Sequence, residues 1–242
     1  SKTLDNSFIN DFDNNSGRIN YDGNLKNISK FKFSKIKKFH QYDPEILFSK
    51  NDIIFFNDKG TILKFNNNSK LYWKKNYYTK TEKKQKPILF FASYKKVLIV
   101  ADNIGKYYAI NIDTGELLWS KNNTSPFNSQ IKILKNKFFV VDFKNTLRAY
   151  SILDGNEIWN VETDNSLIRS QQKLSIIIMN KRIYFNNSNG DISSVDIESG
   201  ELIWQRPTQS KFISDSMFFL KNSEIIGNME ALYFSNNKNQ FF

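Results

Sequence analysis

The sequence predicts an all-β protein, a β-propeller of four-stranded antiparallel blades, and three observations lead to this fold class. The chain of 242 residues contains only four tryptophans, which lie 46, 40 and 45 residues apart. Each tryptophan ends a similar phrase, and a β-hairpin signal recurs upstream of it with the same period. Four short strands within a repeat of about 40–45 residues are typical of one propeller blade. The tryptophans that mark the period are Trp73, Trp119, Trp159 and Trp204.

The phrase that ends at each tryptophan has a polar corner followed by an apolar run. The copies are "NIDTGELLW" (111–119), "SILDGNEIW" (151–159), "DIESGELIW" (196–204) and a looser "NNNSKLYW" (66–73). Glycine accepts the positive φ of a tight turn, which assigns Gly115, Gly155 and Gly200 to turns. A large indole at a fixed place in every copy favours a structural role, packing one blade against its neighbour. A ligand-binding stripe of tryptophans is the alternative.

The hairpin signal is an apolar run, then Asp or Asn with Gly or Asn soon after, then an alternating run. Gly105 is the turn glycine of the clearest copy. The last copy ends within its hairpin, whereas closed propellers have about 4–8 complete blades. The sequence therefore predicts about five readable blades in an incomplete ring, with C-terminal blades missing. The copies lie at 53–65, 97–110, 138–150, 182–195 and 231–242.

Two segments differ from the repeat. Residues 1–28 are rich in Asn, Asp and Ser, which predicts a polar N-terminal arm or tether before a propeller at 29–242. Residues 74–86, "KKNYYTKTEKKQK", contain six lysines. Our interpretation is a solvated loop between blades, and the alternative is a contact for anionic lipid headgroups or an acidic partner.

Composition argues against several classes of function. The chain has no cysteine and a single histidine, His40, which disfavours thiolate sites, histidine metal sites and serine–histidine triads. Its net charge is +11, but only five of the 35 basic residues are arginine, the side chain best suited to bidentate recognition of bases and phosphates. We therefore expect no enzymatic activity, no cofactor or metal, no small-molecule substrate and no nucleic-acid partner.

The stretch from Gly105 to Trp119, Gly-x-x-Tyr-Ala-Ile-x-x-x-Thr-Gly-x-x-x-Trp, resembles the pyrroloquinoline-quinone-type propeller repeat. The resemblance covers about residues 30–242 and leaves two subfamilies open. Quinoprotein dehydrogenases have a Ca²⁺ site, a cofactor-stacking tryptophan and commonly a vicinal disulfide, none of which matches this chain. The chain is more similar to the BamB-type lipoproteins of the outer-membrane β-barrel assembly machine, which are noncatalytic scaffolds with the same repeats.

The second resemblance implies a partner-binding site. "NSLIRSQQ" (165–172) resembles the loop by which such proteins contact the barrel-insertase subunit, so Ile168 and Arg169 are the implied partner-facing residues. Asp215, in "FISDSM" (212–217), is the nearest match to an acidic residue of the same patch. Without the family, Arg169 reads as a surface arginine beside inter-blade packing residues.

The resemblance also implies a function and a location. It implies a scaffold that assists the assembly and insertion of outer-membrane β-barrel proteins by binding the barrel-insertase subunit and other proteins of the assembly machine. It further implies a periplasmic protein, anchored to the inner face of the outer membrane by a lipid upstream of residue 1. Two alternatives stay open: a truncated quinoprotein oxidoreductase, and a propeller adaptor with another binding role.

Overall fold

The computed structural model describes residues 46–49, 52–163, 173–208, 224–228 and 230–235. This part of the chain forms four four-stranded sheets and one two-stranded hairpin, in which each strand pairs antiparallel with the next along the chain. The first sheet contains β1 (Leu47–Ser49), β2 (Asp52–Phe56), β3 (Ile62–Asn66) and β4 (Leu71–Lys75). The second contains β5 (Leu89–Tyr94), β6 (Val97–Asp102), β7 (Lys106–Asn111) and β8 (Leu117–Asn122).

The third sheet contains β9 (Lys132–Leu134), β10 (Lys137–Val141), β11 (Thr146–Ser151) and β12 (Glu157–Glu162). The fourth contains β13 (Ile176–Met179), β14 (Arg182–Asn186), β15 (Ile192–Asp196) and β16 (Leu202–Arg206). The hairpin pairs β17 (Ile226–Gly227) with β18 (Leu232–Tyr233). One short helix, α1 (Lys80–Lys84), joins the first two sheets within the described residues.

A side-chain cap closes the turn between the second and third strands of each four-stranded sheet. In the second sheet, Asp102 Oδ1 accepts backbone hydrogen bonds from Ile104 (3.0 Å) and Lys106 (2.8 Å). Asn and Asp are favoured at such turns because a short polar side chain can satisfy the backbone groups that the turn leaves free. The four capping residues are Asn57, Asp102, Asp142 and Asn187.

The first strand of each sheet lies innermost. β5 contacts β9, β9 contacts β13 and β13 contacts β17, so these first strands line the inside of the assembly. The fourth strands carry the tryptophans, and β8 and β12 have mostly exposed or half-buried side chains. Each sheet therefore runs radially outward from its first strand to its tryptophan-bearing edge, as a propeller blade does.

The hydrophobic core is divided among the spaces between consecutive sheets. Alternate residues of β5 enter different cores, so that Phe91 packs with the first sheet and Phe90 with the third. A sheet buried on both faces needs apolar side chains on both, which explains the nearly continuous apolar runs of the inner strands. Within the described residues, no buried cluster joins the β17–β18 hairpin to the first sheet, in agreement with the predicted incomplete ring.

The structure confirms the predicted all-β fold of four-stranded antiparallel blades. Most of the segment 74–86 is exposed, as predicted, but it is not a loop throughout. Lys74 and Lys75 end β4, and part of the remaining segment is helical. The helix forms because Thr79 and Glu82 make a reciprocal capping box at its N-terminus. The predicted arm at 1–28 lies outside the described residues and stays a prediction.

Candidate functional site

Three of the four tryptophans of the repeat lie between sheets, against the polar corner of the next copy. Trp119 shows the arrangement: a Cβ added to Gly155 would lie 2.6 Å from Trp119 Cζ3, so only a glycine leaves room for the indole. The indole Nε1 of Trp119 also donates a 2.8 Å hydrogen bond to the carbonyl of Ile152. Three such pairs join consecutive sheets: Trp73 with Gly115, Trp119 with Gly155, and Trp159 with Gly200.

The other two residues of the repeated motif have related surroundings. Trp204 packs on Tyr184, with ring centroids 5.9 Å apart, beside the core shared by the fourth sheet and the hairpin. Gly105 has a φ of +93°, and a Cβ there would lie 2.9 Å from the carbonyl oxygen of Asn123. The backbone N–H of Asn123 donates to the Gly105 carbonyl at 2.7 Å, so the hairpin turn and the chain leaving β8 are tightly joined.

One end of the sheets collects the segments that pass from blade to blade. Because the strands run antiparallel in chain order, the turn after the second strand and the connection after the fourth lie at the same end of each sheet. We call this end the connection face; it contains the turns after β2, β6, β10 and β14, and the chain leaves each sheet there after β4, β8, β12 and β16. Loops at one end of a rigid β scaffold are common sites of binding.

The predicted partner residues fall in two connections of this kind. Ile168 and Arg169 lie in the segment 164–172 between β12 and β13, and Asp215 lies in 209–223 between β16 and β17. Both segments are outside the described residues, so the three side chains have no described position. The structure does describe the residues that flank the two segments, where the chain leaves one sheet and enters the next.

The returning ends of the two connections meet. Ser175 Oγ accepts a hydrogen bond from the backbone N–H of Ile225 at 3.0 Å, where the first residues after each connection lie side by side. Gln130 joins them, since its Oε1 accepts from the backbone N–H of Ile176 (3.2 Å) and its Nε2 donates to Glu224 Oε1 (3.2 Å). A buried polar contact thus brings both connections back to the core at one place on the connection face.

The departing end of the first connection is also held. Thr163, the last described residue after β12, donates through Oγ1 to the carbonyl of Asn145 at 2.9 Å. The Nδ2 of Asn187 donates to the same Thr163 hydroxyl at 3.4 Å. Segment 164–172 therefore starts from a fixed point between the third and fourth sheets.

The connection between the first two sheets is described throughout and is bound to the second sheet. The hydroxyl of Tyr78 donates to Asp102 Oδ2 at 2.6 Å, and Lys106 Nζ contacts Glu82 Oε1 at 3.1 Å. Burial raises the pKa of Asp102 to about 6, although the Tyr78 hydrogen bond acts in the opposite direction. Burial also raises the pKa of Tyr77 to about 12.

Sequence analysis missed these contacts. In the sequence, Tyr77 and Tyr78 lie within the lysine-rich segment and Asp102 lies at the turn of the next hairpin copy, so no adjacent residue links them. The hydroxyl of Tyr77 donates to the Gly115 carbonyl, which belongs to the polar corner of the second sheet. The one available signal was the Thr79–Glu82 spacing, which is typical of a capping box.

The described residues do not fit a quinone–calcium site. Three tryptophans lie between sheets, and Trp204 packs on the core shared by the fourth sheet and the hairpin. None of them is left to stack on a cofactor ring. No cluster of three or more His, Asp or Glu side chains with metal-binding geometry is present in the described part of the chain. Nor does that part include a helix with the length and apolarity needed to cross a bilayer.

Comparisons with solved structures show the same fold. BamB from Moraxella catarrhalis is similar with a TM-score of 0.59 and 13% identity, over 81% of this chain and 61% of that chain. Quinohemoprotein alcohol dehydrogenase ADHIIG from Pseudomonas putida HK5 has a TM-score of 0.54 and 14% identity, over 68% of this chain and 34% of that chain. The computationally designed Ika4 protein has a TM-score of 0.53 and 15% identity, over 72% and 99%.

Sequence comparison distinguishes these relatives. No curated protein matches the chain significantly. This chain spans about 61% of the length of the Moraxella catarrhalis structure. A family model described as outer membrane protein assembly factor BamB matches residues 58–241, which is most of the chain. The match includes every described strand from β3 onward. The protein therefore belongs to the family of the outer membrane protein assembly factor BamB.

Proposed function

We propose that this chain is a noncatalytic β-propeller scaffold that assists the assembly and insertion of outer-membrane β-barrel proteins. In this proposal it acts in the periplasm, anchored to the inner face of the outer membrane by a lipid upstream of residue 1, and binds the barrel-insertase subunit. The observation that carries the proposal is the family match over residues 58–241.

We place the partner contact at Ile168 and Arg169, with Asp215 as a third member. Support comes from the hydrogen bonds around Ser175 and Gln130, which return the two connections to the core at one place. An arginine next to apolar side chains combines apolar contact with charge-assisted hydrogen bonds to carboxylates or carbonyls. Such an anchor is often worth about 2 kcal/mol or more when it is truncated.

The test is capture of the purified barrel-insertase subunit by variants of the full chain. We expect Arg169→Ala, and separately Ile168→Asp, to weaken capture at least tenfold, which corresponds to about 1.4 kcal/mol. The matched control is Arg182→Ala, because Arg182 is an exposed arginine that begins β14 at the end opposite the connection face. Circular dichroism of all three variants should equal that of the parent.

Four results would overturn parts of the proposal. Normal capture by both site variants would remove Ile168 and Arg169 from the interface, and loss in all variants including Arg182→Ala would indicate general charge attraction. No capture by the parent chain would favour an adaptor with a different partner. Dye-linked dehydrogenase turnover after addition of the quinone with Ca²⁺ would make the protein an oxidoreductase.

A further inference from the structure

A basic pocket opens on the connection face between the first sheet and helix α1. Its volume is about 420 Å³, which falls in the range of roughly 300–1,000 Å³ common for small-molecule sites. The hairpin turn after β2, the end of β4 and the helix each contribute part of its wall. The lining residues are Lys59, Thr61, Lys74, Lys75, Asn76 and Lys83.

Asn76 holds the two chain segments of the pocket together. Its Nδ2 donates to the carbonyl of Lys59 and to Thr61 Oγ1, both at 2.9 Å. Its Oδ1 accepts from the backbone N–H of Tyr78 at 3.0 Å. One side chain therefore ties the hairpin turn that carries Lys59 to the start of the helical connection.

The helix that carries Lys83 is fixed in the same way. Thr79 and Glu82 make the capping box at its N-terminus, and the Glu82 carboxylate also contacts Lys106 on the second sheet at 3.1 Å. Burial alone would raise the pKa of Glu82, but the hydrogen bonds from Thr79 and Lys106 lower it overall, so this carboxylate is ionised and engaged. Its ionic partner is Lys106, which is not one of the pocket lysines.

The lysines of the pocket have no acidic partner. Among the described residues, none of the four ammonium groups lies within 4.0 Å of a carboxylate, although other lysines of the chain form such pairs, Lys64 with Asp52 at 2.9 Å among them. Four like charges around one recess repel one another, and an anion placed between them relieves that repulsion. Lysine binds phosphate as a point charge.

We propose that this pocket binds a phosphate-bearing anion. A phospholipid headgroup and a soluble phosphate compound present the same chemistry, and either would place its phosphate oxygens among Lys59, Lys74, Lys75 and Lys83. The proposal does not depend on the partner contact at Arg169, which lies in a connection two sheets further along the chain.

The experiment uses the full chain at low salt with two probes. Inorganic pyrophosphate is titrated by isothermal calorimetry, and vesicles of phosphatidylcholine with phosphatidylglycerol are sedimented with the protein, with pure phosphatidylcholine as the blank. The pocket variant is Lys74→Ala with Lys83→Ala. The matched control is Lys80→Ala with Lys84→Ala, which removes the same amount of charge at two exposed lysines of helix α1 that lie outside the pocket.

We expect the pocket variant to bind at least tenfold more weakly and the control to change by less than about threefold, since remote charges act only through screened attraction. Loss of pyrophosphate binding in the pocket variant alone identifies a soluble phosphate ligand. Loss of vesicle binding alone identifies a lipid headgroup. Equal loss in both variants, or binding of neither probe by the parent, would overturn the proposal. Insertase capture is measured separately and is expected to be the same for both lysine variants.

Discussion

Asp102 and Asp142 occupy equivalent turns of neighbouring sheets, yet their carboxylates have different partners. Asp142 is fully buried and accepts hydrogen bonds from Arg148 Nε at 2.9 Å and Asn123 Nδ2 at 3.2 Å. Asp102 is equally buried, but its second oxygen meets the neutral hydroxyl of Tyr78. The corresponding residues of the first and fourth sheets are asparagines, which shows that the turn itself needs only the side-chain oxygen.

We predict that Asp102→Asn leaves the protein at least as stable at pH 7 and flattens its pH dependence. The pKa of Asp102 is about 6 in the folded state, above the ordinary value of about 3.9 for an unfolded chain. The folded state therefore binds more protons between about pH 4 and pH 6, and the free energy of unfolding falls as the pH rises through that window. Asparagine keeps the turn acceptor without the buried charge. Urea unfolding from pH 4 to pH 8 measures the difference.

The matched substitution Asp142→Asn should instead lower the free energy of unfolding at pH 7. The substitution removes one of the two carboxylates that contact Arg148. The contact of Arg148 Nη1 with Glu157 at 2.7 Å remains. Removing one partner of a buried pair costs about 3 kcal/mol or more. If Asp142→Asn leaves the free energy of unfolding at pH 7 unchanged, the contact between Asp142 and Arg148 does not stabilise the fold.

We predict that Gly155→Ala destabilises the fold by about 2–4 kcal/mol, since backbone strain and overpacking each cost about 1–3 kcal/mol. Gly155 has a φ of +68°, and the new Cβ would press on Trp119. The equivalent position of the first sheet is Ser69, which has a φ of +64° and already carries a Cβ. Ser69→Gly is therefore the control and should change stability by under 1 kcal/mol, in line with the modest effect of glycine exchanges at compatible positions. Equal effects of the two changes in chemical denaturation would mean that the indole contact is loose.

At the scale of elements, the short helix α1 depends on its cap more than on its length. Five residues are too few for a stable isolated helix, and none of its side chains is buried. We predict that Thr79→Ala speeds amide exchange at residues 80–86 about fivefold, because losing an N-cap costs about 1 kcal/mol. Hydrogen exchange followed by mass spectrometry measures the exchange rate of peptides that cover residues 80–86.

The control for the cap is Thr81→Ala, the same substitution two residues later. Thr81 lies within the helix and is not part of the capping box, so exchange over 80–86 should stay at the parental rate or slow slightly, since alanine favours helix. Global urea stability should change little in either variant. Equal acceleration by both would indicate that the Tyr78 and Lys106 contacts, and not the cap, hold the segment.

For the molecule as a whole, each interior sheet is stabilised by the cores on both of its faces. Phe138 is fully buried between the second and third sheets, where it stacks on Trp119 at 6.2 Å and on Tyr150 at 5.2 Å. We predict that Phe138→Ala lowers the free energy of unfolding by about 3–5 kcal/mol. Because the sheets are coupled through shared cores, tryptophan fluorescence and far-UV circular dichroism should shift together to lower urea.

Phe138→Leu is the corresponding control, since it retains most of the buried volume and should cost less than about 1.5 kcal/mol. Fluorescence and dichroism transitions that separate in Phe138→Ala would mean that sheets on the two sides of this core unfold independently. That result would contradict the coupling inferred from the shared cores.

The sequence by itself determined the period, the number of strands in each repeat and the family. These follow from short-range chemistry: an Asn or Asp that caps its own hairpin turn, a glycine at positive φ, and apolar runs of strand length can each be recognised from adjacent residues. The contact residues Ile168, Arg169 and Asp215 were implied by the family and stay predictions.

Only the tertiary structure decided which distant residues meet. Nothing local shows that the indole of Trp119 would cover Gly155 and not Gly115, which is nearer in the chain, because that depends on how successive sheets stack. The binding of the lysine-rich segment to the next sheet could not be predicted, because the acceptor of Tyr78 is Asp102, 24 residues further along the chain. Lys59 joins Lys83 in the basic pocket for the same reason: local sequence specifies turns and strands, whereas the contacts that make a site arise between elements that packing brings together.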